Sequence, residues 1–309
     1  MLRLENLTKR YGHFLALDGL SLEIERGTIF GFVGPNGAGK TTTMKIVATL
    51  LPPTSGKAYV DGIDVSLYPE KVRERIGYMP DFFGVYDNLK VTEYLDFYGD
   101  SYGIPFRERQ KLIPEILELV ELLAKKDSYV DTLSRGMKQR LCLARCLIHN
   151  PDLLILDEPA SGMDPRARAE LKGILRTLKE MGKTIMISSH ILPELSELCD
   201  TVGILEKGKL VISGSMGQIM ERIGGNMIIR IRLLHDLERA VRLLKEQPLV
   251  KGIIQEGNEL EVSYQGQDED LWKLLKALVN REMPVVSFSK AEGNLEKIFM
   301  EVTTNDELS

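Results

Sequence analysis

Two kinds of apolar pattern occur in the first part of the chain. The segments Leu2 to Leu7 and Leu20 to Ile24 alternate apolar and polar residues, which predicts half-exposed antiparallel strands. The runs Ile29 to Val33, Leu153 to Leu156 and Thr184 to Ile187 are mostly apolar, as expected of parallel strands covered on both faces. The pattern therefore predicts an antiparallel sheet beside a buried parallel sheet.

Shorter strands and a helical segment fill the intervals between these runs. Lys57 to Val60 and Ile76 to Met79 are predicted strands, ended by Asp61-Gly62 and by Pro80. Residues from about 88 to 150 are mostly helical in pattern, for example Ile113 to Leu123, which predicts a helical insert between strands. Beyond the last buried run, two short apolar segments flank the turn Lys207-Gly208-Lys209 and predict a hairpin; they are Val202 to Leu205 and Leu210 to Ile212.

The character of the chain changes at Gly224-Gly225. The segments beyond it follow the order β-α-β-β-α-β, which is the split βαβ, ferredoxin-like arrangement. These segments are Met227 to Leu233, Leu237 to Gln247, Val250 to Gln255, Glu259 to Tyr264, Asp270 to Asn280 and Val285 to Ser289. Leu295 to Val302 is predicted to add a last amphipathic helix. We therefore expect an α/β domain over residues 1–224 and a small α+β domain over residues 225–309.

A glycine-rich segment follows the first buried run. Residues 34 to 41 are Gly-Pro-Asn-Gly-Ala-Gly-Lys-Thr, between the predicted strand Ile29 to Val33 and a predicted helix from Lys40 to Leu51. This context favours a phosphate-binding loop over a glycine-rich turn of another α/β protein. Backbone N–H groups and the helix N-terminus would hold phosphate oxygens. Lys40 is expected to reach the β- and γ-phosphates, and the Thr41 hydroxyl to hold Mg²⁺.

An acidic pair, Asp157 and Glu158, follows the buried run that ends at Leu156. In open α/β sheets, ligands bind outside the carboxyl ends of the strands. We expect Asp157 to hold Mg²⁺ through water, and Glu158 to orient or deprotonate an attacking water. The alternative, a solvated acidic pair at a strand end, is disfavoured by the phosphate loop upstream.

Length and composition agree with this architecture. A chain of 309 residues fits two domains, and its net charge of −5 argues against a nucleic-acid backbone as main partner. No apolar run reaches the about 18 to 20 residues of a membrane span. The first residues, MLRLENLTKRYG, lack a signal-peptide stretch, and three cysteines show no disulfide-like spacing, so we expect a reducing cytoplasm. Cys142, Cys146 and His149 share one helix face, where core positions are favoured over metal ligands.

Several motifs, in one order, make residues 1–222 resemble the ATP-binding subunit of an ABC transporter. The motifs are Tyr11, Gly34 to Thr42, Leu133-Ser134-Arg135-Gly136-Met137, Asp157-Glu158, Ser161-Gly162-Met163-Asp164 and His190. The resemblance implies that Tyr11 stacks on adenine and that His190 senses the γ-phosphate. It further implies that residues 133–137 are the family's signature segment and that residues 161–164 cross a dimer interface.

The resemblance implies a P-loop NTPase core with an antiparallel β subdomain and a helical insert, using ATP and Mg²⁺. The implied catalytic residues are Lys40, Glu158 and His190. The implied nucleotide contacts are Tyr11, Gly34, Pro35, Asn36, Gly37, Ala38, Gly39, Lys40, Thr41, Thr42, Ser134 and Gly136. The implied metal ligands are Thr41, Asp81 and Asp157.

Two positions depart from the family's usual pattern. Asp81 follows Pro80 where the family usually has Gln, and it offers a charged carboxylate to the same metal. Arg135 stands where the signature usually has Gly, either adding a cation or facing solvent. Ser134 and the N–H of Gly136 can still open a helix toward phosphate. Met-Lys-Gln-Arg after Gly136 is common in exporter subunits, which favours export over nutrient import.

The function implied is an ATPase subunit that drives a separate integral membrane permease from the inner face of the cell membrane. Two copies, or one copy and a paired ATPase subunit, would enclose two ATP head to tail. A non-transport ABC ATPase acting on ribosomes or DNA is disfavoured by the single cassette and the lack of heptads. A non-hydrolysing binding module is opposed by intact Lys40, Asp157, Glu158 and His190. The tail resembles that of some exporter subunits around Leu295-Glu296-Lys297-Ile298-Phe299.

Overall fold

The protein divides into two units, Met1–Met216 and Gly217–Ser309. The computed structural model describes residues 1–82, 84, 86, 88–191, 195, 197–215, 217–219, 227–266 and 268–290. The boundary expected at Gly224-Gly225 and the helix expected over Leu295 to Val302 lie outside the described residues.

The described part of the first unit contains both sheets that the apolar pattern predicts, together with helices. Its strands are β1 (Leu2–Tyr11), β2 (Phe14–Ile24), β3 (Ile29–Val33), β4 (Ser55–Val60), β5 (Ile63–Asp64), β6 (Ile76–Met79), β7 (Leu153–Leu156), β8 (Thr184–Ser189), β9 (Thr201–Glu206) and β10 (Lys209–Gly214). Its α-helices are α1 (Lys40–Val47), α2 (Pro69–Arg73), α3 (Val91–Ser101), α4 (Phe106–Leu119), α5 (Arg135–Leu147) and α6 (Pro165–Glu180).

The buried sheet has the strand order β10-β9-β3-β8-β7-β6. Strands β9, β3, β8, β7 and β6 run parallel, and β10 forms an antiparallel hairpin with β9. Every residue of β3, β7 and β8 is buried, which confirms the three mostly apolar runs as fully covered strands. Because β8 lies between β3 and β7, the loops that follow these three strands meet at one edge of the sheet.

The antiparallel sheet has the order β2-β1-β4-β5 and covers one side of the core. Its inward residues, such as Leu4 and Ala58, share a cluster with Phe32 of β3 and Met44 of α1. The predicted strands are confirmed, and β1 and β2 extend to the hairpin turn after Tyr11. The predicted helix from Lys40 to Leu51 is shorter than expected. It ends at Val47, because the chain turns at Thr49 with a positive φ of 62°.

The predicted helical insert is confirmed as α3, α4 and α5, with two short 3₁₀ turns between α4 and α5. Arg109 of α4 is 7% exposed and joins this helix to α3. Its guanidinium donates to Asp96 at 2.7 Å, to Asp100 at 2.6 Å and to the carbonyl of Ile104 at 2.7 Å.

The three cysteines lie in the first unit. Cys142 and Cys146 are buried on α5, as core positions, and Cys199 is partly buried beside Gly31 of β3.

The second unit confirms the predicted β-α-β-β-α-β order. It contains β11 (Met227–Leu233), α7 (Leu237–Lys245), β12 (Val250–Glu256), β13 (Glu259–Tyr264), α8 (Asp268–Asn280) and β14 (Val285–Lys290). The strands are antiparallel in the order β12-β13-β11-β14, which is the ferredoxin-like arrangement. Alternate strand residues such as Ile229, Ile231 and Val262 pack against Leu244 and Leu274 of the two helices.

Within the described ranges of both units, no helix combines the length and the apolar character that a membrane crossing requires.

Candidate functional site

The predicted phosphate loop connects β3 to α1. Gly39 precedes the first helical residue with a φ of 109°, and a Cβ at this position would lie 2.7 Å from the carbonyl oxygen of Ala16. Only glycine fits both the backbone conformation and the space. Because the first N–H groups of a helix have no partner within the helix, this end of α1 suits an anion.

Lys40 is the first residue of α1, and only 6% of its side chain is exposed. Its Nζ donates to the carbonyl oxygen of Gly34 at 2.5 Å and lies 3.7 Å from Oε1 of Glu158. Burial lowers the pKa of Lys40, and the carboxylates of Glu158 and Asp157 oppose that lowering. A phosphate oxygen beside Nζ would likewise favour the charged amine.

Asp157 lies directly after β7 and is 1% exposed. Its Oδ1 accepts a hydrogen bond of 2.7 Å from the hydroxyl of Ser188, which also accepts the N–H of Glu158 at 2.9 Å. Ser188 therefore ties both acids to β8. Ser188 was not among the site residues predicted from the sequence. The one available signal was a pair of hydroxyl residues, Ser188-Ser189, at the end of a strand just before His190.

The second oxygen of Asp157, Oδ2, is buried and has no hydrogen-bond partner among the described residues. Such an oxygen suits Mg²⁺ or a metal-bound water, since this ion prefers carboxylate and water oxygens. The residues present therefore fit a magnesium ion beside the phosphate loop. Thr41, the expected hydroxyl ligand, follows Lys40 on the first turn of α1 and is exposed.

Asp81 lies two residues after β6, the strand beside β7, and is exposed. Burial raises the pKa of Tyr78, and the carboxylates of Asp157 and Asp81 raise it further. The role of Asp81 as a metal ligand stays a prediction.

The side chains of Lys40 and His190 both approach the carboxylate of Glu158. Nδ1 of His190 lies 3.0 Å from its Oε2, and Lys40 approaches its Oε1. The backbone of Glu158 has a φ of 49°, in the left-handed region that is uncommon for residues other than glycine. Such strain is found where the surrounding structure holds a functional side chain in a required direction.

The expected signature segment opens α5. Ser134 is the N-cap, and its hydroxyl accepts the N–H of Met137 at 3.3 Å. The side chain of Gln139 donates to the carbonyl oxygen of Ser161 at 3.0 Å, so α5 also contacts the loop that follows Glu158.

Tyr11 is 47% exposed at the end of β1, and Nζ of Lys9 lies 5.4 Å from its ring centroid. The structure thus brings Lys40, Asp157, Glu158 and His190 together. Within the described ranges, no hydrogen bond or ion pair joins Tyr11 or Ser134 to that group.

Two family models match the chain. The first, described as ABC transporter, matches residues 17–161, and the second, described as ATP-binding protein DrrA1-3-like, C-terminal domain, matches residues 214–303. The first match includes the phosphate loop, the signature segment and the acidic pair.

Two relatives match nearly the whole chain. The linearmycin resistance ATP-binding protein LnrL of Bacillus subtilis is 32% identical over 305 residues, covering 98% of each chain. The daunorubicin/doxorubicin resistance ATP-binding protein DrrA of Streptomyces peucetius is 34% identical over 301 residues, covering 96% of this chain and 90% of that protein.

A similar solved structure is the dimeric post-hydrolysis state of the ATP-binding cassette MJ0796 bound to ADP and Pi. It is 26% identical with a TM-score of 0.64, and the match covers 70% of this chain and 99% of that chain.

Proposed function

Because the chain belongs to the family of ATP-binding subunits of ABC transporters, we propose that two copies close head to tail around two ATP and thereby drive a separate membrane permease. The subunits of this family are ATPases. Each site would combine Lys40 and Glu158 of one copy with Ser134 of the other. The second copy can be this chain or a related ATPase subunit.

The observation that carries the hydrolysis proposal is the convergence of Lys40 and His190 on Glu158. Glu158 would take the proton of the attacking water, and His190 would hold the other carboxylate oxygen and so orient it. Lys40 would exchange the loop carbonyls for the β- and γ-phosphates. Loss of such a base slows hydrolysis by roughly 10²- to 10⁴-fold.

Asp157, Thr41 and Asp81 would hold the metal that accompanies ATP. When bound, Mg²⁺ neutralises charge on the β- and γ-phosphate oxygens. The support for this ligand set is the buried, unpartnered oxygen of Asp157. Ser188 orients that carboxylate by occupying its other oxygen.

Outward transport is the direction we infer. Two relatives that match nearly the whole chain are named for resistance to linearmycin and to daunorubicin and doxorubicin. An ATPase that confers resistance by driving a compound out of the cell would work at the inner face of the membrane, where ATP is available. Nucleic acid has no place in this function, in keeping with the acidic net charge of −5.

The helical insert is the proposed docking surface for the permease. A cavity of about 310 Å³ lies between β6 and α5, lined by Leu50, Tyr78, Tyr98, Tyr102, Arg145 and His149. Arg145 donates to Cys142 Sγ at 3.1 Å and lies over the Tyr98 ring, but no carboxylate in the described ranges pairs with it. An acidic residue on the permease would complete this site.

The dimer is tested first with Glu158→Gln, which should hydrolyse ATP slowly and retain binding. On addition of ATP, sedimentation should show a shift from monomer to dimer. Adding Ser134→Arg should abolish the shift, because a bulky cation would replace the hydroxyl and the cap that face the partner's γ-phosphate. The matched control is Ser66→Arg, at an exposed serine in the turn after β5.

If the double variant, Glu158→Gln with Ser134→Arg, dimerises with ATP as readily as Glu158→Gln alone, then Ser134 does not close the partner's site. Hydrolysis by Glu158→Gln at the wild-type rate would refute the role of Glu158 itself.

Docking is tested by co-purification with the product of a neighbouring reading frame that encodes several membrane spans. Arg145→Glu should release that protein, since the cavity would then carry a negative charge. The control is Arg166→Glu, at a side chain that is 91% exposed on α6. Equal recovery with both variants would place the docking surface elsewhere.

A further inference from the structure

The first turn of α5 lies against the loop that follows Glu158. A Cβ at Gly162 would come within 2.4 Å of Cζ and Nη1 of Arg135 and within 2.7 Å of Nη2. The guanidinium therefore lies beside Gly162, whose φ of 68° already favours glycine. Two further contacts adjoin this one. Gln139 donates to the carbonyl of Ser161. A Cβ added to Gly136 would lie only 3.3 Å from Cε of Met163, so the helix and the loop are closely packed there.

The same loop is anchored at its other end to Glu158. The N–H of Ser161 donates to the carbonyl oxygen of Glu158 at 3.0 Å. A short series of contacts thus leads from Arg135 through Gly162 and Ser161 to the residue at which Lys40 and His190 meet. Glu158 has a strained backbone, so a loop held in one arrangement maintains the direction of its side chain.

We propose that Arg135 is a positioning residue that holds the loop of residues 159–163 through Gly162 and thereby sets the orientation of Glu158 in the same copy. The inference rests on the proposed function. In the head-to-tail dimer, Ser134 serves one ATP and Glu158 of the same copy serves the other. The contact between Arg135 and Gly162 therefore links the two nucleotide sites.

The planar guanidinium is the part of Arg135 that this role requires. A flat group lies against the backbone of Gly162, which an ammonium on a flexible stem does not reproduce. Arg135→Lys should therefore behave like Arg135→Ala. If the side chain instead supplied a cation to the partner's phosphate, lysine would restore most of the rate.

The first measurement is steady-state ATP hydrolysis by the full chain. Arg135→Ala and Arg135→Lys should each lower kcat on the order of tenfold, with the KM for ATP and the melting temperature close to those of the wild type. Three results would overturn the proposal: restoration of kcat by lysine, a higher KM for ATP without a lower kcat, or no change in kcat.

A double-mutant cycle with Gly162→Ala provides the second measurement. The new methyl group would displace the guanidinium, so Gly162→Ala carries the loss of the Arg135 contact in addition to backbone strain. In the Arg135→Ala background only the strain remains, and the two losses in kcat should combine to clearly less than their product.

Gly182→Ala is the matched control for strain, since Gly182 after α6 has a φ of 85° and open space around its ideal Cβ. Its effect should multiply independently with that of Arg135→Ala. Fully independent effects at Gly162 would overturn the inference. Failure of the wild type to hydrolyse ATP, by contrast, would refute the proposed function.

Discussion

Ser188, which has no expected catalytic role, holds the two acidic residues of the site in place. Its hydroxyl donates to Asp157 and accepts the N–H of Glu158, and it is 1% exposed. A single side chain on the central strand β8 therefore fixes both acids that follow β7.

Replacing Ser188 with alanine is expected to lower the free energy of unfolding by about 1.5 to 3 kcal/mol, because a buried carboxylate loses a hydrogen bond. The Mg²⁺ concentration needed for half-maximal hydrolysis should rise, since Oδ1 of Asp157 is no longer held. Urea unfolding and magnesium titrations measure the two effects.

Ser21→Ala is the control for this prediction, since the Ser21 hydroxyl also accepts a backbone N–H, from Asn6 at 3.0 Å, but is exposed. Equal and small effects of the two substitutions would show that Ser188 does not support Asp157.

The sequence predicted the placement of Lys40, Asp157 and Glu158 because each adjoins a strand or helix with a clear apolar pattern. The hydrogen bonds of Ser188 with the acidic pair could not be predicted in this way, and neither could the contact between Arg135 and Gly162. Each joins two elements that are far apart in the chain, and their proximity follows from the strand order and the packing of α5.

At the scale of elements, one buried cation joins two helices of the insert, α3 and α4. Arg109 binds Asp96 and Asp100 of α3, and it also donates to the carbonyl of Ile104 between the two helices. Without the guanidinium, the two carboxylates of α3 would repel each other.

Arg109→Leu is therefore expected to increase hydrogen exchange in α3 and α4, with little change in the buried parallel sheet. Arg107→Leu, at an exposed position of α4, is the control and should leave exchange close to that of the wild type. Uniform faster exchange throughout the first unit would instead indicate that the insert and the core unfold together.

The predictability of the elements differed with the strength of their patterns. The ferredoxin-like order was confirmed because its strands and helices carry clear periodicity between turn residues. The bounds of α1 were wrong by one turn, since apolar residues continue past Val47 while the backbone reverses at Thr49. The short helix α2 was not predicted, since a single turn carries too few positions to show a period.

At the scale of the whole molecule, each unit has an apolar core of its own. The first is built around Phe32 and Met44, and the second around Ile231 and Val262. Independent cores are the usual basis for independent folding.

A chain ending at residue 224 is therefore expected to fold and bind ATP with an affinity close to that of the full chain. Circular dichroism and nucleotide titration of the truncated protein measure this. An insoluble product, or one that does not bind nucleotide, would show that the two units share a core.

The cysteines have a practical consequence for spectroscopy. Burial raises the pKa of Cys199 to about 12, and a hydrogen bond with Cys146 together with burial raises that of Cys142. The hydrogen bond from Cys142 lowers the pKa of Cys146, but the Cys146 thiol of α5 is buried in the core and is therefore not accessible. Because maleimide dyes react with accessible thiolates, a cysteine introduced at an exposed position would be labelled in preference to all three. Fluorescence energy transfer between copies could then be followed in an otherwise native sequence.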